Sequence, residues 1–307
     1  MRKELILLVE AKKSKVLLNG IVSIVIFLLM IFIGQVIGGI LTVIVGTWKY
    51  GLEYVIEHLM ELSTGPIGLI LTFLFPLLLC FLWVKVVEKR KISSLGLNKE
   101  GFFNKFIKGF GIGLLMFGLV TLLMYLMGVI TLNQGLKIGI KSLSGILIIL
   151  PGWIIQSSTE EILSRGWLMH IVGAKHSPII GFIVSSVAFG FLHILNPGVT
   201  ILSIVNIILV GFMFGLYVIY TQDVWGACGI HAAWNFSQAN IFGFNVSGLE
   251  AASDSLLKFS SNGSNLLTGG QFGPEASVFA TVIILLAILI LVFKIRNKEL
   301  EEIQINA

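Results

Sequence analysis

Residues Ser157–Gly166 read SSTEEILSRG, two adjacent carboxylates and an arginine with apolar helix-forming runs on both sides. In a water-soluble protein this would be an ordinary charged helix face. Here the flanking chain is apolar enough to put the charges inside a bilayer or at its edge. An ionisable group at membrane depth costs on the order of 2.5–3.5 kcal/mol on insertion scales, so it points to function by default.

Outward from this stretch the chain stays apolar. Of 307 residues, 56% are hydrophobic and 12% charged, against about 25% charged in a typical soluble domain. With a mean hydropathy of +0.98 and repeated apolar runs of about 20 residues, the expected fold is all-α, a polytopic bundle of membrane helices forming one domain over residues 1–307. The net charge of +5 fits basic loops on one membrane face. No basic face is interleaved with aromatics, so a nucleic-acid partner is not expected. Cys80 and Cys228 fall within apolar spans and read as small buried hydrophobes, not as a disulfide framework.

Eight spans are expected: Asn19–Val45, Pro66–Val87, Gly109–Leu132, one starting near Leu143, Pro178–Leu195, Ile201–Tyr220, Trp225–Phe244 and Ala276–Phe293. The first is too long for a signal-peptide core and lacks a small-residue cleavage site, so it reads as retained. Basic residues gather at the N-terminus (Arg2, Lys3, Lys12, Lys13, Lys15), after the second span (Lys85, Lys89, Arg90, Lys91, Lys99, Lys105, Lys108) and at the C-terminus (Lys294, Arg296, Lys298). In an eight-span chain these share one face, so both termini are expected in the cytoplasm of a multi-pass cell-membrane protein. Asn245–Glu275, rich in Ser, Asn and Gly, is expected to be an external loop or partly ordered lid.

Helical spacing divides the charged stretch. Glu161 and Arg165 are four apart and face each other in the favourable order, whereas Glu160 points elsewhere with no evident local partner. The expectation is a structural ion pair, Glu161 with Arg165, beside a Glu160 free for chemistry. Of the five histidines, His58, His170 and His176 fall in or near loops, while His193 and His231 lie in or near the ends of apolar spans. The turn at His176 follows Glu160 by 16 residues and precedes His193 by 17. Both then sit ~25 Å along their helices from it, provided the fourth helix runs on past Arg165. His231 and Asn235, four apart, share a face of the seventh helix.

A carboxylate in a low-dielectric pocket is a better general base near neutral pH. A histidine can share the water, and a second histidine with an asparagine offers donors to an oxyanion. Together they suit water attack on an amide. Ser157, Ser158 and Ser164 lack a G-x-S-x-G setting. His193, His231 and a glutamate also offer a three-ligand zinc alternative, but H-E-x-x-H is missing, so a site without cofactor is preferred.

EEILSR (Glu160, Glu161, Arg165), FGFLH (Phe189, His193) and HAAWN (His231, Asn235) occur in order. This series resembles the CAAX-processing and bacteriocin-processing (CPBP, or ABI) intramembrane proteases, whose motifs are E-E-x-x-x-R, F-x-x-x-H and H-x-x-x-N. The resemblance covers residues 143–244 as a catalytic core, and GGQFGPEAS near Gly269 is also similar to bacterial members. It implies a cavity open to the cytoplasm and a glutamate-type intramembrane peptidase. Glu160 and His193 would activate water, His231 and Asn235 would hold the oxyanion, and Glu161 and Arg165 would support the site. Membrane lipid and a membrane-associated peptide or protein are the implied partners, with the oligomeric state left open. A bacterial-looking chain makes prenylated substrates the less favoured choice. The alternative function is a non-catalytic bacteriocin-immunity or sensor-regulating scaffold of the same fold.

Overall fold

The computed structural model describes residues 5–135, 139–250 and 255–305. Arg2 and Lys3 of the basic N-terminus and residues 251–254 of the polar loop lie outside them.

The fold is a helical membrane bundle, as the apolar runs require. A short α1 (Ile6–Lys12) precedes α2 (Gly20–Tyr50), which Asn19 caps by accepting from Val22 N at 2.9 Å. Two short helices, α3 (Leu52–Glu57) and α4 (Leu59–Thr64), lead into α5 (Pro66–Leu82), opened by a proline at its first position. Then come α6 (Phe102–Leu126), β1 (Ile130–Gln134), α7 (Ile140–Glu161), α8 (Met169–Lys175), α9 (Pro178–Phe191) and α10 (Ile201–Thr221). The chain ends with α11 (Trp225–Phe236), β2 (Lys258–Ser261), α12 (Asn265–Thr268) and α13 (Val278–Ile305).

Every expected span coincides with a helix, but they are not equivalent. Among the described residues, six segments are long and apolar enough to cross a membrane: Gly20–Tyr50, Pro66–Val87, Phe102–Leu126, Leu143–Lys175, Ile201–Thr221 and Val278–Lys298. The other two fall short. α9 has 14 residues, ~21 Å against a hydrocarbon core of about 30 Å. α11 has 12 residues before a π turn over Ser237–Ile241. These two carry His193 and His231. The expected third span is also displaced: α6 begins earlier, at Phe102, and ends before Gly128, whose φ of 69° turns the chain into β1. β1 pairs antiparallel with β2, so the polar segment expected as a loop is partly built into a small sheet.

Lipid faces and interior separate cleanly. Only 22% of the apolar window of α2 and of α13 is buried, against 56% of Leu143–Lys175, which makes the helix carrying the charges the central one. α11 is buried from Gly226 through Phe236 and packs on α6 through small residues. A Cβ at Gly229 would stand 2.2 Å from Phe106 O, and one at Gly113 2.3 Å from Ile230 O. Backbone cannot yield that space. Gly229→Val is therefore expected to cost about 3 kcal/mol, the upper end of overpacking penalties, and to remove the monodisperse peak in size-exclusion chromatography of detergent extracts.

The basic segments meet at one end of the bundle. Lys105 bridges to Asp223 at 2.5 Å, Val224 N donates to Gly96 O, Gly20 N donates to His176 Nε2, and Lys298 Nζ reaches Tyr220 O. Arg90 is no surface charge there. It is buried against Glu88, whose Oε1 also accepts from Trp83 and, at 2.6 Å, from Trp167. The opposite end carries α3 and α4, the turn over 193–199, and the described parts of the stretch before α13, residues 242–250 and 255–277, with β2 and α12.

Candidate active site

The helix carrying Glu160 and Glu161 does run on past Arg165. α7 passes through a π turn, Ile162–Leu168, directly into α8. That turn follows Glu161 and is buried throughout. Its wider pitch lets His170 Nδ1 meet Arg165 O at 2.6 Å, five residues back.

Arg165 and Glu161 form the expected pair, Nη1 to Oε1 at 3.0 Å, with both side chains fully buried. The guanidinium also lies 4.2 Å from the Phe189 ring centroid and 5.4 Å from that of Phe214, so two aromatic faces share its charge. Glu161 has a second task. Its Oε1 lies 3.0 Å from His231 Nδ1, and because a carboxylate only accepts, that imidazole nitrogen is the donor. The other nitrogen, Nε2, is thereby turned toward Glu160 Oε2, 3.8 Å away. Phe214 stacks on the same ring.

Glu160 is not without a local partner. Gln156, one turn earlier, donates from Nε2 to Glu160 Oε1 at 2.7 Å. The Gln156 carbonyl oxygen in turn accepts from Asn235 Nδ2 and Ser157 Oγ, both at 2.9 Å. Asn235 therefore reaches the glutamate through Gln156. Glu160 Oε2 is buried and has no hydrogen-bond partner among the described residues.

His193 lies two residues beyond the last residue of α9, in the turn that follows. Its Nδ1 is 3.0 Å from Phe189 O, so that nitrogen donates to the carbonyl and Nε2 is the free acceptor. Glu160, His193, His231 and Asn235 line one cavity of about 300 Å³, with apolar walls from Leu69, Phe73, Phe189 and Met213. Glu161 and Arg165 sit behind this wall. The other three histidines are held by local contacts outside the cavity: His58 stacks on Tyr54, His170 bonds Arg165 O, and His176 accepts from Gly20 N. Both cysteines are buried and unbridged.

Three contributors escaped the sequence reading. Gln156 carries no charge and was passed over, although the four-residue spacing that pairs Glu161 with Arg165 also pairs it with Glu160. Glu275 lines the same cavity from the turn before α13, where Ser247 N and Oγ donate to its Oε1 at 2.6 and 2.9 Å. Asn196 closes this clasp by donating to Ser247 O at 2.9 Å. Only the GGQFGPEAS resemblance hinted at this stretch.

Burial pushes the Glu275 carboxyl up from 4.5 to about 7, with the Ser247 donors opposing. The folded chain thus holds this proton more tightly than the unfolded chain does. Stability is expected to decline as pH rises between about 4.5 and about 7. Glu275→Gln removes that part of the decline, and thermal unfolding across this range in detergent checks it.

The cavity also faces an unexpected way. Its lining includes Thr64, Asn196, Ser247, Glu250 and Glu275, all from the end opposite the basic segments. Cytoplasmic termini and a cytoplasmic cavity, both expected above, therefore do not hold together in this structure.

Comparison with curated proteins and with solved structures gives no match. Residues 142–237 match the family Rce1-like, type II CAAX prenyl endopeptidase Rce1-like. The matched segment runs from α7 through the start of the π turn after α11 and contains Glu160, Glu161, Arg165, His193, His231 and Asn235. Over that segment, with those side chains gathered at one cavity in a membrane bundle, the chain is similar to the CAAX-processing and bacteriocin-processing (CPBP) proteases.

Proposed function

We propose that the protein is a glutamate-type intramembrane endopeptidase that hydrolyses membrane-associated peptides. The observation carrying this reading is Glu160 Oε2, buried, unpartnered among the described residues, and 3.8 Å from His231 Nε2 at the cavity wall. A carboxylate oxygen left unsatisfied in a low-dielectric hollow is costly unless something polar enters. A water there would satisfy it.

In this mechanism Glu160 takes a proton from the water as the oxygen adds to the scissile carbonyl carbon. The carbonyl becomes an oxyanion, which His231 Nε2–H and the Asn235 amide hold. Two glutamates and Arg165 leave one negative charge in excess, and a proton on His231 Nε2 balances it. Collapse breaks the C–N bond, and the proton from Glu160 passes by way of His193 to the leaving amine. Glu161 fixes the imidazole of His231, and Arg165 pairs with Glu161 in a dry interior.

No group of three or more His, Cys, Asp or Glu among the described residues is arranged to hold a metal ion. Basic segments gathered at one end support a multi-pass orientation with that end in the cytoplasm.

The test is cleavage by purified protein in proteoliposomes, with a fluorescence-quenched amphipathic peptide and a prenylated CAAX peptide as probes. Full activity in chelator is expected. His193→Ala is expected to lower kcat at least ~10²-fold, within the range for lost proton-transfer groups. Chelator-sensitive turnover would replace the glutamate mechanism with a metal one. No difference between His193→Ala and wild type in a phenotype of the host cell would favour a scaffold.

A further inference from the structure

We propose that the catalytic cavity is served from the membrane face opposite the basic loops, so that its substrates are peptides already on the non-cytoplasmic side. The substrate half of this statement rests on the peptidase reading above; the sidedness does not.

Three observations carry it. First, α9 and α11 both start at the basic end and stop short, α9 after 14 residues. Beyond Phe191, and beyond the π turn that carries α11 on to Ile241, the chain turns, and Asn196, Ser247 and Glu250 of those turns line the hollow. Second, the path toward the basic end is plugged. From Glu161 through Gly173 every residue is buried. Beneath them Trp167, Leu95, Val84 and Val224 are 0% exposed, and the Glu88–Arg90 pair is tied to Trp167. An aqueous route through that layer would have to dismantle a dry ion pair. Third, the cavity's outermost polar lining, Asn196, Ser247, Glu250 and Glu275, comes from the far turns, and Glu250 is exposed to solvent there.

Lysines and arginines mark the cytoplasmic end because short basic loops are poorly translocated. Lys12, Lys13, Lys15, Lys89, Lys91, Lys99, Lys105 and Lys108 all lie at the plugged end. The open end, by exclusion, faces outward. A peptide reaching Glu160 then enters from the outer aqueous phase or outer leaflet, as an exported peptide or the released end of an anchored one would.

The test uses the full chain in its own membrane. Glu250→Cys, at the mouth, and Lys99→Cys, at the plugged end, are treated with a membrane-impermeant maleimide; the two native cysteines are buried. Glu250→Cys is expected to label in intact cells and Lys99→Cys only after permeabilisation. The reverse pattern, labelling of both in intact cells, or no labelling of Glu250→Cys after permeabilisation would each overturn the proposal. Sealed right-side-out vesicles given the amphipathic peptide outside are expected to cleave it. Cleavage only after the vesicles are opened overturns the proposal. No cleavage in either state, with labelling as expected, rejects the peptidase reading and the substrate half while the sidedness stands.

Discussion

Glu160→Gln is expected to reduce peptide cleavage by about 10²–10⁴-fold in kcat, the span assigned to a lost general base, with KM little changed and the protein as stable as before. The substitution is nearly isosteric. The amide oxygen of the new side chain can still accept from Gln156 Nε2, which now bonds Glu160 Oε1 at 2.7 Å. What is lost sits at the other terminus. Oε2, which has no partner and faces His231 Nε2, becomes an NH₂ that donates and cannot take a proton. The charge removed is the one that the proton on His231 Nε2, 3.8 Å away, balances, and that proton can leave with it, so the melting temperature is expected to stay close to that of the wild type. Initial rates in proteoliposomes and thermal unfolding in detergent, run on the same preparation, separate the two effects. A variant that keeps its rate removes Glu160 from the chemistry. A variant that loses rate and stability together makes it a structural residue.

How much of this was legible without coordinates follows from what hydropathy and spacing can register. Charge inside an apolar run is loud, so Glu160, Glu161 and Arg165 stood out, and four-residue spacing gave the Glu161–Arg165 bond that the structure contains. His193 and His231 stood out for the same reason. Gln156 did not, because a neutral amide barely changes hydropathy, although it is the residue joining Glu160 to Asn235. The end of α9 was also invisible to hydropathy. The run LHILNPGVT stays apolar past Phe191, and only Asn196-Pro197-Gly198 signals that the chain turns. Two helices were thus read as full spans, and the place of the cavity at their short ends was not anticipated.

Arg165→Met is expected to cost about 3–5 kcal/mol, the penalty for stranding one member of a buried ion pair, and in a membrane protein this means little folded material. Glu161 has no exposure to solvent, and without the guanidinium its charge would face only His231. Arg165→Lys should not rescue it. An ammonium lacks the flat surface that Phe189 and Phe214 flank at 4.2 and 5.4 Å, and it is more strongly hydrated. The informative variant is the double one, Glu161→Gln with Arg165→Met. Both charges leave together, the interior stays dry, and most of the stability should return, since a buried pair replaced by neutral groups is often neutral or better. Activity should not return. Without a carboxylate at 3.0 Å from Nδ1, nothing holds the proton on that nitrogen or turns Nε2 toward Glu160. The double variant therefore divides the pair's two duties, with thermal unfolding reading the first and kcat the second. Recovery of both would reduce Glu161 and Arg165 to a packing device, and recovery of neither would mean that the π turn itself depends on the ion pair.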